Sequence, residues 1–180
     1  VFSIDFSAFH GCTGLTSITV EEGNTAYHSE GNCIIDTGNK KLVLGCQNSV
    51  IPDDGSVTSI GKEAFAGCKT LTSLVIPDTI TSIGAFAFSG CTGLQSLKMP
   101  FVGSSRTSSY PLGYLFHGSS DYTNCNTSVP KTLTTVEITG SNLSANAFAN
   151  CQYLTTIIIG EGVEAIDKAA FQNTPALEAI

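Results

Sequence analysis

Seven cysteines and three histidines are the side chains of this 180-residue chain best equipped for nucleophilic attack, proton transfer or soft-metal ligation. Four of the cysteines, Cys12, Cys68, Cys91 and Cys151, each follow a phenylalanine by three residues: Phe9, Phe65, Phe88 and Phe148. That spacing fits the inside of a tight turn. A thiol there behaves as a small, weakly polar core residue. Thr174 holds the same place after Phe171, which favours packing over chemistry. The competing readings are a disulfide between neighbouring turns or a stack of metal-binding thiolates. The chain has no Cys-x-x-Cys pair to support the metal, so no metal and no cofactor are expected. Cys33, Cys46 and Cys125 lie outside this frame, and Cys33 and Cys46 could pair with each other. Seven is an odd number, so at least one thiol is unpaired within the monomer.

His10, His28 and His117 are scattered and form no local constellation. A Cys–His pair assembled by the fold would make a thiol-dependent enzyme, and that needs one exposed cysteine of low pKa. The chain lacks a Gly-x-Ser-x-Gly elbow, a His-Glu-x-x-His helix and an EF-hand loop. Gly55 and Gly61-Lys62 hint at a phosphate loop, but the spacing fails and Glu63 stands where Ser or Thr is needed. The expectation is a non-catalytic protein.

The elements that would position these side chains come from an internal repeat. Residues 57–77 superimpose on residues 80–100 at an offset of 23, with Ile60 on Ile83, Phe65 on Phe88, Cys68 on Cys91, Leu71 on Leu94, Leu74 on Leu97 and Pro77 on Pro100. The frame recurs at Ile4–Ile18, Leu143–Ile157 and Ile166–Ile180. A unit this short cannot bury its own apolar side, whereas stacked units bury a continuous core. In Leu71-x-x-Leu74-x-Ile76 the last two apolar residues alternate as on a strand, and stacked copies form a parallel sheet. Ala-Phe-x-x-Cys suits a short helical turn, and Val57-x-x-Ile60-Gly61 a second short extended piece. The expected fold is therefore a β-rich (α+β) solenoid of ~23-residue coils with a parallel sheet and short helical turns. Its core columns are Phe9, Phe65, Phe88, Phe148, Phe171 and the matching Leu and Ile positions.

The motif Ile60-Gly61-Lys62-Glu63-Ala64-Phe65-Ala66-Gly67-Cys68-Lys69-Thr70-Leu71-Thr72-Ser73-Leu74-Val75-Ile76-Pro77 resembles the BspA-like leucine-rich repeats of bacterial and protist surface proteins. The resemblance covers nearly the whole chain. It implies a leucine-rich-repeat-like, right-handed stack, an extracellular or cell-surface location, and adhesion to extracellular-matrix proteins or other cells rather than catalysis.

Two stretches break the period. Phe9 to Phe65 is 56 residues and Phe88 to Phe148 is 60. The first insert, about 21–56, carries Cys33-Ile34-Ile35 and Leu42-Val43-Leu44 around Asp36-Thr37-Gly38-Asn39, a hairpin pattern that would extend the sheet. The preceding Asn24-Thr25-Ala26-Tyr27 also resembles a recurrent insert of that family. The second insert, 101–130, is rich in Ser, Gly and Tyr. There Leu115-Phe116 fits the Ala-Phe slot of an expanded coil, and 117–129 bulges out before Leu133 resumes the strand. Loops on rigid scaffolds often carry function, so Arg106, Tyr110, Tyr114, His117 and Tyr122 form a candidate binding loop. The whole, 1–180, reads as one repeat domain cut from a longer chain, and the incomplete copy at Ile180 suggests an apolar end capable of end-to-end self-association.

What remains is surface. Beside each central Leu or Ile of the repeat strand, alternate positions point outward. One outward column reads Ser17, Ser73, Ser96, Thr135, Thr156, and the other Thr19, Val75, Lys98, Glu137, Ile158. A hydroxyl ladder is compatible with an ordinary solvated sheet. It also suits a platform for a host or neighbouring-cell matrix protein or a glycan, with the mixed column supplying specificity. A passive spacer that displays another domain is the competing class. Composition narrows the field: hydrophobic residues make up 42% against 13% charged, which disfavours disorder. The net charge of −7 and the absence of a basic stripe disfavour nucleic acid. No apolar run reaches membrane-spanning length, so no membrane insertion is expected.

Overall fold

The computed structural model describes residues 3–5, 7–9, 11–121 and 125–180. Two sheets run along it. One is built from β5 (Ser73–Val75), β7 (Ser96–Met99), β8 (Thr135–Ile138) and β9 (Thr156–Ile159), in that order and all parallel. These are the Leu-x-x-Leu-x-Ile strands. Their register places Leu74 beside Leu97, Leu97 beside Val136 and Val136 beside Ile157, so each inward residue of one repeat meets its counterpart in the next. The other sheet has the order β1 (Tyr27–Glu30), β2 (Cys33–Asp36), β3 (Lys41–Leu44), β4 (Ser59–Ile60), β6 (Ser82–Ile83). Its β4 and β6 are the Val-x-x-Ile-Gly pieces read from the repeat.

The Ala-Phe turns close each coil between the sheets. Backbone bonds lace them from repeat to repeat: Phe65 N donates to Ala87 O at 2.8 Å, Phe88 N to Leu115 O at 2.9 Å and Phe148 N to Ala170 O at 2.8 Å. Leu115-Phe116 thus occupies the Ala-Phe slot, as the spacing suggested. These turns are hydrogen-bonded turns rather than α-helix, because each places two residues in the left-handed region. Glu63, Phe86, Asn146 and Ala169 do so two positions before the Phe, and Gly67, Gly90, Asn150 and Asn173 two positions after it. Left-handed φ breaks a right-handed helix within one turn. The helices among the described residues are α1 (Tyr114–His117) and α2 (Cys125–Ser128), both within the second insert.

The core runs lengthwise. Phe65, Phe88 and Phe116 stack with ring centroids 5.8 and 6.0 Å apart, flanked by Leu71, Leu74, Leu94, Leu97, Leu133 and Val136, all buried. Phe148 is buried and stacks on Phe171 at 5.6 Å. Phe9 and Phe171 were expected in this core but are only partly buried, and Ile166 and Ile180 are 49% and 68% exposed. An inner repeat is covered on both sides, whereas each of these lies against described repeats on one side.

The first insert corrects two expectations. The hairpin of Cys33–Asp36 and Lys41–Leu44 is present, but β1 adds a third antiparallel strand, and the meander extends the Val-x-x-Ile sheet through β3–β4 rather than the Leu-x-x-Leu sheet. In addition, the stretch holding Ser17 and Thr19 is not a strand. The Asn32 side chain takes its backbone, with Oδ1 accepting from Ile18 N at 2.7 Å and Nδ2 donating to Thr16 O at 2.8 Å. The Ser29 hydroxyl accepts from Val20 N. Side chains of the insert satisfy groups that a neighbouring repeat strand would otherwise take. Ser17 and Thr19 therefore stand apart from the other eight column residues.

Candidate functional site

The four-stranded parallel sheet brings together Ser73, Ser96, Thr135 and Thr156 in one outward column and Val75, Lys98, Glu137 and Ile158 in the other. Strand alternation aims them out, and register stacks them at about 4.8 Å per repeat. The columns differ chemically. The hydroxyls are adaptable donors and acceptors. In the mixed column Lys98 Nζ lies 2.7 Å from a Glu137 carboxylate oxygen, so the two central charges neutralise each other across the strands. Val75 and Ile158, on either side of them, are 57% and 44% exposed. The face is thus a nearly uncharged strip with an apolar residue at each end.

Beside the strip lies a groove of about 1070 Å³ that the sequence reading missed. One wall is 47–53, the other is 70–79, and Lys98 and Thr139 reach one end. Gln47 spans the walls: its Oε1 accepts from Thr70 N at 2.9 Å and from the Thr70 hydroxyl at 2.8 Å. A sequence signal for the upstream wall existed. Val50-Ile51-Pro52-Asp53 repeats Val75-Ile76-Pro77-Asp78 residue for residue, which marks 47–53 as a repeat counterpart of β5.

The candidate loop is divided by the structure. Tyr110 and Tyr114 stack with centroids 4.6 Å apart, and Tyr110 is 37% exposed. His117, at the end of α1, sits over Phe86 at 6.2 Å. Arg106 serves the scaffold: its Nη1 donates to Gly140 O at 2.7 Å and its Nη2 to Asp78 O at 2.9 Å, pinning the insert to two coils. Tyr122 lies outside the described residues, as does His10.

The cysteines form a ladder, with one outcome that corrects the packing reading. Cys151 is not a buried thiol. It is disulfide-bonded to Cys125, with Cα atoms 5.1 Å apart. The second insert brings Cys125 in on α2 against the Cys of the following repeat. The 5.1 Å between these two Cα atoms is within bridging range. The disulfide between neighbouring coils, weighed as the alternative, is the one that forms here. Reduction, or Cys125→Ser with Cys151→Ser, should cost about 3 kcal/mol for a loop of 26 residues, read as a lower urea midpoint. An unchanged midpoint would show that the bridge constrains nothing.

Cys68 and Cys91 are buried free thiols, as expected, and so are Cys33 and Cys46, which do not pair with each other. The sulfur of Cys46 instead accepts from Asn32 Nδ2 at 3.1 Å. Burial pushes the thiols of Cys68 and Cys91 up to about 12 and that of Cys33 up to about 11. Raised thiols of this kind are poor nucleophiles. Cys12 departs from the ladder and is exposed. A thiol reagent at pH 8 should therefore label Cys12 rapidly and the other four free cysteines only on unfolding, and a second fast thiol would contradict the buried ladder. Among the described residues no group of His, Cys, Asp and Glu could hold a metal ion. No helix among them is long and apolar enough to cross a membrane.

The comparisons agree with this geometry. The model of the BspA type leucine rich repeat region matches residues 41–178 in six copies. A leucine rich cell surface protein from Faecalibacterium prausnitzii A2-165 is similar in structure, with a TM-score of 0.58 and 27% identity, over 96% of this chain and 43% of that one. A leucine-rich repeat protein from Eubacterium ventriosum has a TM-score of 0.53 and 23% identity, over 93% of this chain and 49% of that one, and shares the fold. This chain thus spans less than half the length of either protein. No curated protein sequence matches it. Repeat motif, stacked parallel strands and a family match over 41–178 together make this chain a member of the BspA type leucine-rich repeat family.

Proposed function

We propose that this chain is a non-catalytic binding module of a cell-surface or secreted protein, recognising a matrix protein or glycan of a host or neighbouring cell through its repeat surface. The observation that carries the reading is the four-strand outward face, Ser73 to Thr156 and Val75 to Ile158, held rigid by in-register parallel pairing. We read residues 1–180 as one repeat domain wound as a right-handed solenoid. Parallel neighbours joined by crossovers favour that hand. Two observations support an extracytoplasmic setting: the Cys125–Cys151 disulfide, which suits an oxidising compartment, and the likeness to a protein described as a cell-surface protein.

The test is binding of the folded chain to a panel of matrix proteins and glycans, beside a variant with Ser73, Ser96, Lys98, Thr135 and Glu137 all changed to Ala. Loss of at least tenfold in affinity is the expected result. Because Lys98 and Glu137 neutralise each other, affinity for a ligand held on the outward face alone should change less than threefold between 50 and 300 mM salt. Binding that the variant retains would move the site to the Tyr110–Tyr114 pair. No binding by the parent would favour the passive spacer.

A further inference from the structure

The groove beside β5 has the form of a missing strand. β5 spends one side of its backbone on β7: Ser96 N donates to Thr72 O, and Ile76 N donates to Lys98 O at 2.8 Å. Thr72, Leu74 and Ile76 therefore face β7, and by strand alternation Ser73 and Val75 aim their N–H and C=O groups the other way, into the groove. These groups take no hydrogen-bond partner among the described residues. On the other wall Ser49, which alternation would turn toward Ser73 and Val75 in a regular stack, is engaged locally, since Ser49 N donates to Cys46 O at 3.2 Å. Val50 and Val75, equivalent residues of the two walls, are the most exposed valines among the described residues, at 71% and 57%. A stacked repeat would bring such residues to about 4.8 Å. Here a groove separates them. One rim is acidic, with Glu30 and Asp53, while on the other Asp78 is held by Arg106 and Thr139, and Lys98 by Glu137.

We propose that this groove binds an extended peptide of another protein as an added β-strand. Resting on the binding-module reading above, this names the class of partner and the chemistry that recognises it. The peptide's backbone pairs with Ser73 and Val75, the free edge that β-augmentation uses. A β-branched apolar side chain seats between Val50 and Val75. Lysine or arginine at one end of the peptide meets Glu30 and Asp53. A length of four to six residues follows from β5 and its flanks at about 3.3 Å per residue. A glycan lacks the alternating donor and acceptor row that this edge offers.

The experiment uses the folded chain and the synthetic peptide acetyl-Lys-Val-Thr-Val-Thr-Lys-amide, with amide hydrogen exchange read by NMR. In the free protein the Ser73 and Val75 amides should exchange at least 100-fold faster than those of Leu74 and Ile76. Millimolar peptide should slow them at least tenfold. N-methylating alternate residues of the peptide should abolish binding in one frame and spare it in the other. Val75→Pro removes one groove-facing donor without touching the β5–β7 ladder, a position where an edge strand tolerates proline. It should weaken the peptide at least tenfold, while Val75→Thr, which keeps the N–H and the shape, should not. Protection of Ser73 and Val75 in the free protein would overturn the proposal, because the groove would then be closed in solution. So would peptide that leaves their exchange unchanged, peptide affinity untouched by Val75→Pro, or a glycan that fills the groove equally well in Val75→Pro. Should the five-residue Ala variant lose panel binding while Val75→Pro keeps it, the face reading stands and strand addition falls.

Discussion

Phe88→Ala should lower the unfolding free energy by about 3–5 kcal/mol, the cost of truncating a buried aromatic. Phe88 is fully buried and stands in the middle of a file, 5.8 Å from the Phe65 ring and 6.0 Å from that of Phe116. Removing it takes contacts from both neighbours and leaves a cavity that the laced Ala-Phe turns cannot collapse, because Phe65 N and Phe88 N hold consecutive turns at fixed spacing. Repeat proteins add stability through nearest-neighbour contacts, so loss at an inner repeat also weakens coupling between the two sides. The urea transition should broaden as well as shift. Phe171→Ala is the internal comparison. Phe171 is only partly buried and stacks on one ring, so its loss should cost about half as much. A Phe88 shift worth under 1 kcal/mol would remove this residue from the core.

Alkaline pH should destabilise the protein on a similar scale. Cys33, Cys68 and Cys91 are raised from an ordinary 9.0 to about 11, 12 and 12, in each case chiefly because burial disfavours the thiolate. Below pH 9 both states carry the thiol and stability is unaffected. Above pH 9 the unfolded chain loses these protons while the folded chain keeps them, so the unfolded state binds fewer protons and stability falls as pH rises. Each thiol contributes a slope of about 1.4 kcal/mol per pH unit, continuing until its own folded pKa is reached. Three thiols together remove on the order of 4 kcal/mol by pH 10. Urea midpoints measured at pH 8, 9, 10 and 10.5 give the slope. In Cys91→Ala the slope should fall by about a third, whatever constant offset the lost sulfur brings. An identical slope in that variant would mean that Cys91 ionises freely in the folded state.

The two results bear on function through rigidity. The outward columns are useful as a binding platform only because the inward Leu and Phe columns hold their register. A thiol ladder too deeply buried to ionise is part of that packing, and not a reactive site.

Much of the architecture was legible in the residues themselves. A period of 23 with Phe, Cys and Leu in register could bury its apolar side only by stacking. Alternation then fixed which residues of Leu-x-x-Leu-x-Ile point outward, so the face from Ser73 to Ile158 could be listed before any coordinates. Local turn chemistry placed the hairpin between Cys33 and Leu44, and the spacing placed Leu115-Phe116 in its slot. These readings hold because each rests on neighbours near in sequence or on a strict repeat. Tertiary structure decided what the inserts do, because their contacts are long-range and follow no period. It sent the hairpin to the other sheet and let Asn32 displace Ser17 and Thr19 from the parallel sheet. It carried Cys125 across a non-repeating loop to Cys151, and it engaged Ser49 N with Cys46 O, so that β5 was left with an open edge.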